Sequence, residues 1–347
     1  MKERIRMRRA TLVVQTAVNA YRARAYPYQN IQLPQNMLTP AILADARTAA
    51  LILFYSCHYM RGTIKSDYAM RKIVELHAQF PDFFDPHRAM QLPFETVRER
   101  LYAMIPYKSG EITRSWIENS RRLALHWHSD PRTIFSVARS KSDLYRYVTN
   151  RTTVRLEDRT GNLNEDGFMG FQKKMANMLA YFLESCALVK PFPVETVPPV
   201  DFHHLRILIA TQSIVVPDKT QARYEEVRPV GEHVYAVLMK RHNIGMLELG
   251  DALWLLSSRL CSESPVTETR DGELMGVDWD NPEVRSRYAR TCGSCPLQQY
   301  CTIAVQANVY YQKGYFELTR VRPQPPKHAV RHDLFPDAPR VFPRKGA

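Results

Sequence analysis

Cys292, Cys295 and Cys301 fall within ten positions in the spacing C-x2-C-x5-C. A fourth cysteine, Cys261, precedes them by 30 intervening residues and follows the apolar run DALWLLSSRL. Thiolates are soft ligands, and four of them suit zinc or an iron–sulfur cluster. Zinc sites favour two short-spaced pairs. Here the compact unit is a triplet with the fourth member remote, and Pro296 with the five-residue loop suits wrapping around a cubane. Spacing therefore favours a [4Fe–4S] cluster over zinc, with a metal-free cluster of thiols as the third reading. Cys186 is the substitute fourth ligand if Cys261 does not serve. A disulfide framework is disfavoured in a chain of 347 residues whose start, MKERIRMRRA, does not read as a secretory signal.

Two further stretches carry chemistry-bearing residues. In FMGFQKKMAN, residues 168 to 177, Gly170 precedes a basic helix start with Lys173 and Lys174. A tight turn before a helix leaves backbone N–H groups pointing outward with a positive dipole behind them, which makes a phosphate cradle. The plainer reading is an ordinary helix start with solvated lysines. In PPVDFHHLRIL, residues 198 to 208, Asp201 precedes a short apolar helix and is a candidate N-cap. His203 reads as a structural hydrogen-bonder and His204 as a surface residue.

The elements that must position these groups read as helices. The spans 41–60, 66–79, 93–104, 111–128 and 171–188 are rich in helix formers, several of them with apolar stripes. Strand signals are few, the best being Ile214, Val215 and Val216 before Pro217. An all-α fold is expected. Pro191–Pro199 is a plausible connection, and the chain from about Arg320 is expected to be extended. Lys and Arg total 48 against 35 Asp and Glu, a net charge of +13, which points to a polyanionic partner. The excess is concentrated at the ends, in Lys2, Arg4, Arg6, Arg8 and Arg9 and again beyond residue 320. No run approaches the length of a membrane-spanning helix.

The run RTCGSCPLQQYC resembles the iron–sulfur loop of helix-hairpin-helix DNA glycosylases of the endonuclease III type. The two short cysteine gaps match that family, while the first gap is longer here. Residues 262–291 thus resemble an insertion, expected to be a solvated excursion because it carries Asp271, Glu273, Asp278, Asp280 and Glu283. Residues 168–177 are similar to the family's hairpin: Gly170 matches its first glycine and Lys174 its lysine, while Gln172 replaces its second glycine. If that position required φ > 0, glutamine there would cost on the order of 1 kcal/mol. Asp201 matches the family's catalytic aspartate, and Arg206 lies near its arginine. YKSGEITRSWIENSRRL, residues 107 to 123, resembles a structural turn leading into a helix.

The resemblance implies a two-domain helix-hairpin-helix fold with a [4Fe–4S] cluster loop and a DNA cleft between the domains. The expected organisation is an N-terminal basic segment 1–40 packing with the cluster domain, then a helical barrel 41–190 ending in the hairpin. The cluster domain 191–318 with its insertion 262–291 follows, then a Pro-rich basic tail 319–347. The implied activity is base excision. The enzyme flips a damaged or modified base from the duplex and breaks its glycosidic bond, and an AP-lyase step follows. Lys174 and Asp201 are the implied catalytic residues, and Cys261, Cys292, Cys295 and Cys301 the cluster ligands. Gly170, Phe171, Gln172 and Lys173 are implied to meet DNA, with His58 or Tyr59 as the wedge that fills the hole left by an extruded base. The partner is double-stranded DNA, with no membrane. The protein is expected to be monomeric and cytoplasmic or nucleoid-associated, or nuclear in a eukaryote. The alternatives are a non-catalytic DNA-binding protein that retains hairpin and cluster, and a zinc-containing nucleic-acid-binding regulator.

Overall fold

The computed structural model describes residues 4–60, 64–149, 167–190, 197–218, 220–270, 273–274, 276–307 and 314–326. The chain is mostly helical, with strands of two to four residues. Among the described residues these strands form only small antiparallel sheets. None of the helices is long and apolar enough to cross a membrane, among the described residues.

The chain divides into two compact units. One contains residues 1–30, 202–234 and 251–347, and the other residues 31–201 and 235–250. The division therefore falls after Asp201 rather than near residue 190, and residues 235–250 return to the unit that holds the hairpin. Met246 explains part of that return, because it packs into the same core as Leu179 and Phe182.

The hairpin-bearing unit is built around the helix Ala46–Ser56, whose residues Ala49 to Ser56 are all buried. A helix apolar on every side can only be satisfied by being surrounded. The single helix expected over 41–60 is in fact broken at Asp45, whose carboxylate accepts from the Arg47 and Thr48 N–H groups and caps a new helix. Packed on this centre is Ser109–His126, whose Trp116 stacks on Tyr55 with ring centroids 4.2 Å apart and donates Nε1–H to the Phe83 carbonyl. Lys173–Ser185 completes the wall with Met175, Leu179 and Phe182 buried.

The other unit holds the cysteines. The strand Arg4–Ile5 pairs antiparallel with Ile214–Val215, fastening the N-terminal segment beside the end of the helix Phe202–Ala210. That helix is buried from His204 to Ala210. His204 is thus an interior residue and not a surface one, because the apolar residues Leu205, Ile207, Leu208 and Ile209 leave the helix no exposed face. A three-stranded sheet orders Gln221–Arg223, Tyr315–Leu318 and Val305–Ala307.

The segment 262–291 is not a solvated excursion. Ser264, Val266 and Thr267 are buried, and Val266 packs with Tyr288 and Ala304 against Val277, Trp279 and Cys292. Its acidic composition hid a few apolar residues sufficient for a small core of their own. The described start of the tail, residues 320–326, has no helix or strand, as expected, although Arg322 within it is only 5% exposed. Residues 327–347 of the tail, residues 191–196 of the Pro-rich connection and Asp271 lie outside the described residues.

Candidate functional site

The hairpin is a four-residue turn from Phe168 to Phe171, closed by the Phe171 N–H donating to the Phe168 carbonyl at 3.0 Å. Its third residue, Gly170, has φ +79, the left-handed value a type II turn demands there. Gln172 has φ −111 and ψ −178, which is extended backbone. The strain that a glycine-requiring position would impose on Gln172 is absent, and the helix begins at once with Lys173.

Aromatic anchors hold the turn. Phe168 and Phe171 are both buried, the latter stacked on Phe54 at 5.3 Å. The Phe171 side chain therefore belongs to the core, leaving the turn's backbone, Gln172 and Lys173 to meet a ligand. Gln172 and Lys173 are exposed. Lys173 Nζ sits 5.6 Å from the centre of the Tyr145 ring, while Lys174, one position on, is half-buried.

His58 is a correction. It is 2% exposed and cannot act as a surface wedge, and Tyr59 is buried as well. The His58 ring is enclosed by Trp116, Phe171 and Phe54. Its Nδ1 bonds the Tyr55 carbonyl at 3.0 Å and its Nε2 bonds Asn119 Nδ2 at 2.9 Å. Both bonds are satisfied by the neutral ring with its proton on Nδ1. Asn119 in turn clasps the hairpin, its Nδ2 donating to the Met169 carbonyl at 3.0 Å and its Oδ1 accepting from the Met169 N–H at 2.6 Å. One turn along the same helix, buried Arg122 donates to the Gly167 carbonyl and to Glu118. Burial works against the charge on Glu118, but hydrogen bonds from Arg121 and Arg122 more than offset it and hold the carboxyl below its ordinary range. Asn119 and Arg122 were not singled out from sequence. The available signal was two polar residues three apart on the buried face of an amphipathic helix.

Asp201 closes the sequence segment of the hairpin-bearing unit and immediately precedes the helix that starts at Phe202. It is partly buried, and its charge acts on the buried Tyr235 phenol, which burial already pushes well up. His203 behaves as a structural residue: Nδ1 lies 3.1 Å from Ser257 Oγ, and the ring packs on Phe202 and Trp254. Arg206 is buried and bonds Ser262 Oγ at 3.0 Å and the Gln306 side chain.

The four cysteines of the expected ligand set gather in the other unit. Cys261 and Cys292 lie at the ends of helices wound as π turns, Leu256–Cys261 and Ala289–Gly293, a rare geometry often found at functional sites. Burial pushes the Cys261 thiol up to about 11, with Arg206 opposing and Cys292 adding to the shift. Burial also raises Cys295, with Cys301, Cys261 and Cys292 contributing, and raises Cys301 to about 12 against the opposing charge of Arg322. The four thiols are thus within electrostatic reach of one another. Among the described residues, no group of three or more His, Cys, Asp or Glu side chains stands at the spacing of a single metal ion. Cys186 lies on the other unit and its thiol is raised by burial without influence from these four.

The surroundings of the thiols are polar and cationic. Ser264 Oγ lies 3.0 Å from Cys292 Sγ, and the Leu297 N–H donates to Cys295 Sγ at 3.4 Å. Arg322 donates to the Gln298 carbonyl at 3.1 Å, covers the Tyr288 ring, and its charge acts on the Cys292 and Cys301 thiols. Arg9 reaches the Tyr300 carbonyl at 2.7 Å and the Thr211 carbonyl at 2.6 Å, beside Cys301. None of the six cysteines is disulfide-bonded. Four half-buried cysteines beside guanidinium groups and N–H or O–H donors are a fitting donor set for an anionic thiolate cluster. No protein-family model matches the chain, and no curated protein matches it.

Proposed function

We propose that this chain is a DNA base-excision glycosylase with an AP-lyase step, of the helix-hairpin-helix type with an iron–sulfur cluster loop. The observation that carries the reading is the hairpin turn. Gly170 at φ +79 delivers the chain into a helix whose first residues are Lys173 and Lys174. This turn presents backbone N–H groups and a helix dipole to a phosphate without reading sequence. Asp201, partly buried next to the start of a second helix, and the four gathered cysteines support it.

In this reading the duplex is held by basic side chains and hairpin amides, and the target nucleotide is turned out of the stack. As the glycosidic bond lengthens, its electron pair leaves with the base and positive charge grows on the sugar. The Asp201 carboxylate stabilises that charge. The Lys174 amine bonds to C1′ as the base departs with a proton, and the nitrogen lone pair then breaks the C1′–O4′ bond, O4′ taking a proton as the ring opens, to give a Schiff base. Loss of a proton from C2′ then expels the 3′ phosphate and nicks the strand. When bound, a [4Fe–4S] cluster would tie Cys261, Cys292, Cys295 and Cys301 together and fix the loop between them.

The test is single-turnover incubation with a panel of duplexes, each carrying one damaged or modified base, reading base release and strand nicking separately. The expected result is release on at least one duplex followed by nicking. Tight binding across the panel with neither product would favour the non-catalytic DNA-binding alternative.

A further inference from the structure

The segments that lie outside the matched cysteine loop converge beside Cys292. Ser264, from the stretch between Cys261 and Cys292, places its Oγ 3.0 Å from Cys292 Sγ. The same oxygen accepts the Val266 N–H at 3.3 Å, and toward a metal-bound thiolate, which has no hydrogen to give, the hydroxyl would be the donor. Arg322, from the chain beyond the strand Tyr315–Leu318, lies over the ring of Tyr288, which packs in the same small core as Cys292, and its charge acts on the Cys292 and Cys301 thiols. The residue is 5% exposed, its guanidinium is anchored by the Gln298 carbonyl and the Tyr288 ring, and its backbone N–H is held by the Thr302 carbonyl at 2.8 Å. A buried guanidinium held this way requires an anion beside it. The neighbouring Cys292 and Cys301 thiols supply one when ionised. Cys295 receives a single backbone donor, from Leu297.

We propose that Ser264 and Arg322 are positioning residues for the iron–sulfur cluster. Ser264, by donating a hydrogen bond to the Cys292 sulfur, and Arg322, by its positive charge held nearby, raise the cluster's reduction potential. The inference rests on the cluster reading above. The physics is general: hydrogen bonds to ligand sulfur and nearby positive charge stabilise the more electron-rich, reduced state. Removing either group must therefore shift the potential in the negative direction.

The experiment uses the full chain as isolated, in four forms: unsubstituted, Ser264→Ala, Arg322→Gln and Arg322→Lys. Iron and acid-labile sulfide per chain are measured first, then the reduction potential by spectroelectrochemistry. Ser264→Ala should keep its full iron content and shift the potential negative. Arg322→Gln should shift it further, and Arg322→Lys should recover part of that shift because the charge returns without the fork. If Arg322→Gln fails to fold, Ser264→Ala carries the test alone, since it removes one hydroxyl. An unchanged potential in Ser264→Ala with full iron overturns the proposal. Absence of iron and sulfide from the unsubstituted protein, with the chain folded, overturns the cluster reading itself and this inference with it.

Discussion

Asn119 makes three polar contacts through one amide: the Met169 N–H, the Met169 carbonyl and His58 Nε2. It is fully buried, and it bonds the buried His58 ring and the half-buried Met169 backbone. Asn119→Ala removes all three bonds and should cost about 2 kcal/mol in urea unfolding. A loss below ~0.5 kcal/mol would show that the clasp does not hold the turn. The residue scale also shows what a sequence can and cannot reveal. Lys174, Asp201 and the four cysteines stand out because their chemistry requires a type at a place along the chain. Asn119, Arg122, Ser264 and Arg322 serve through partners 28 to 50 positions away or through the turn of a distant segment, and no local spacing marks them. His58 was legible as a residue of note, but its aromatic enclosure, which comes from helices distant in sequence, was not.

The Ser109–His126 helix is the element that holds the hairpin, and its grip depends on charge. Glu118 bonds Arg122, and Arg122 bonds the Gly167 carbonyl. Because the Glu118 carboxyl is held below its ordinary value of 4.5, its stabilisation is present above the unfolded value and is lost as pH falls through the folded one. The melting temperature should therefore drop in acid, below the ordinary glutamate range, and Glu118→Gln should show a shallower drop over the same range. Parallel profiles for the two proteins would remove Glu118 from the account. Helix positions were readable because the apolar periodicity is strong: Ser66–Gln79 coincides with its expected span. Breaks depend on single caps such as Asp45, which look like ordinary helix residues in a run of good helix formers. The packed segment 262–291 was misread for a related reason, since composition averages over a stretch in which Val266, Val277, Trp279 and Tyr288 alone decide burial.

At the scale of the whole molecule, the helical class was legible, whereas the return of residues 235–250 to the other unit was not. Each unit is assembled from separated stretches of sequence, and the N-terminal segment joins the cysteine-bearing unit through a two-residue strand pairing and the two carbonyl bonds of Arg9. Such long-range closures leave little local pattern. The net charge of +13 suits the polyanionic partner proposed above without specifying the reaction. The proposed reaction turns on Lys174, and the measurement that tests it most directly is borohydride trapping of the protein on duplex DNA carrying a processed base or an abasic site. The unsubstituted protein and Lys173→Ala should form a covalent adduct, and Lys174→Ala should form none while binding DNA nearly as well, since one charge among many changes the salt dependence by about one ion. A full adduct yield in Lys174→Ala, with the adduct lost in Lys173→Ala, would contradict the assignment and move the nucleophile to Lys173. No adduct from the unsubstituted protein on any duplex would contradict the lyase step itself.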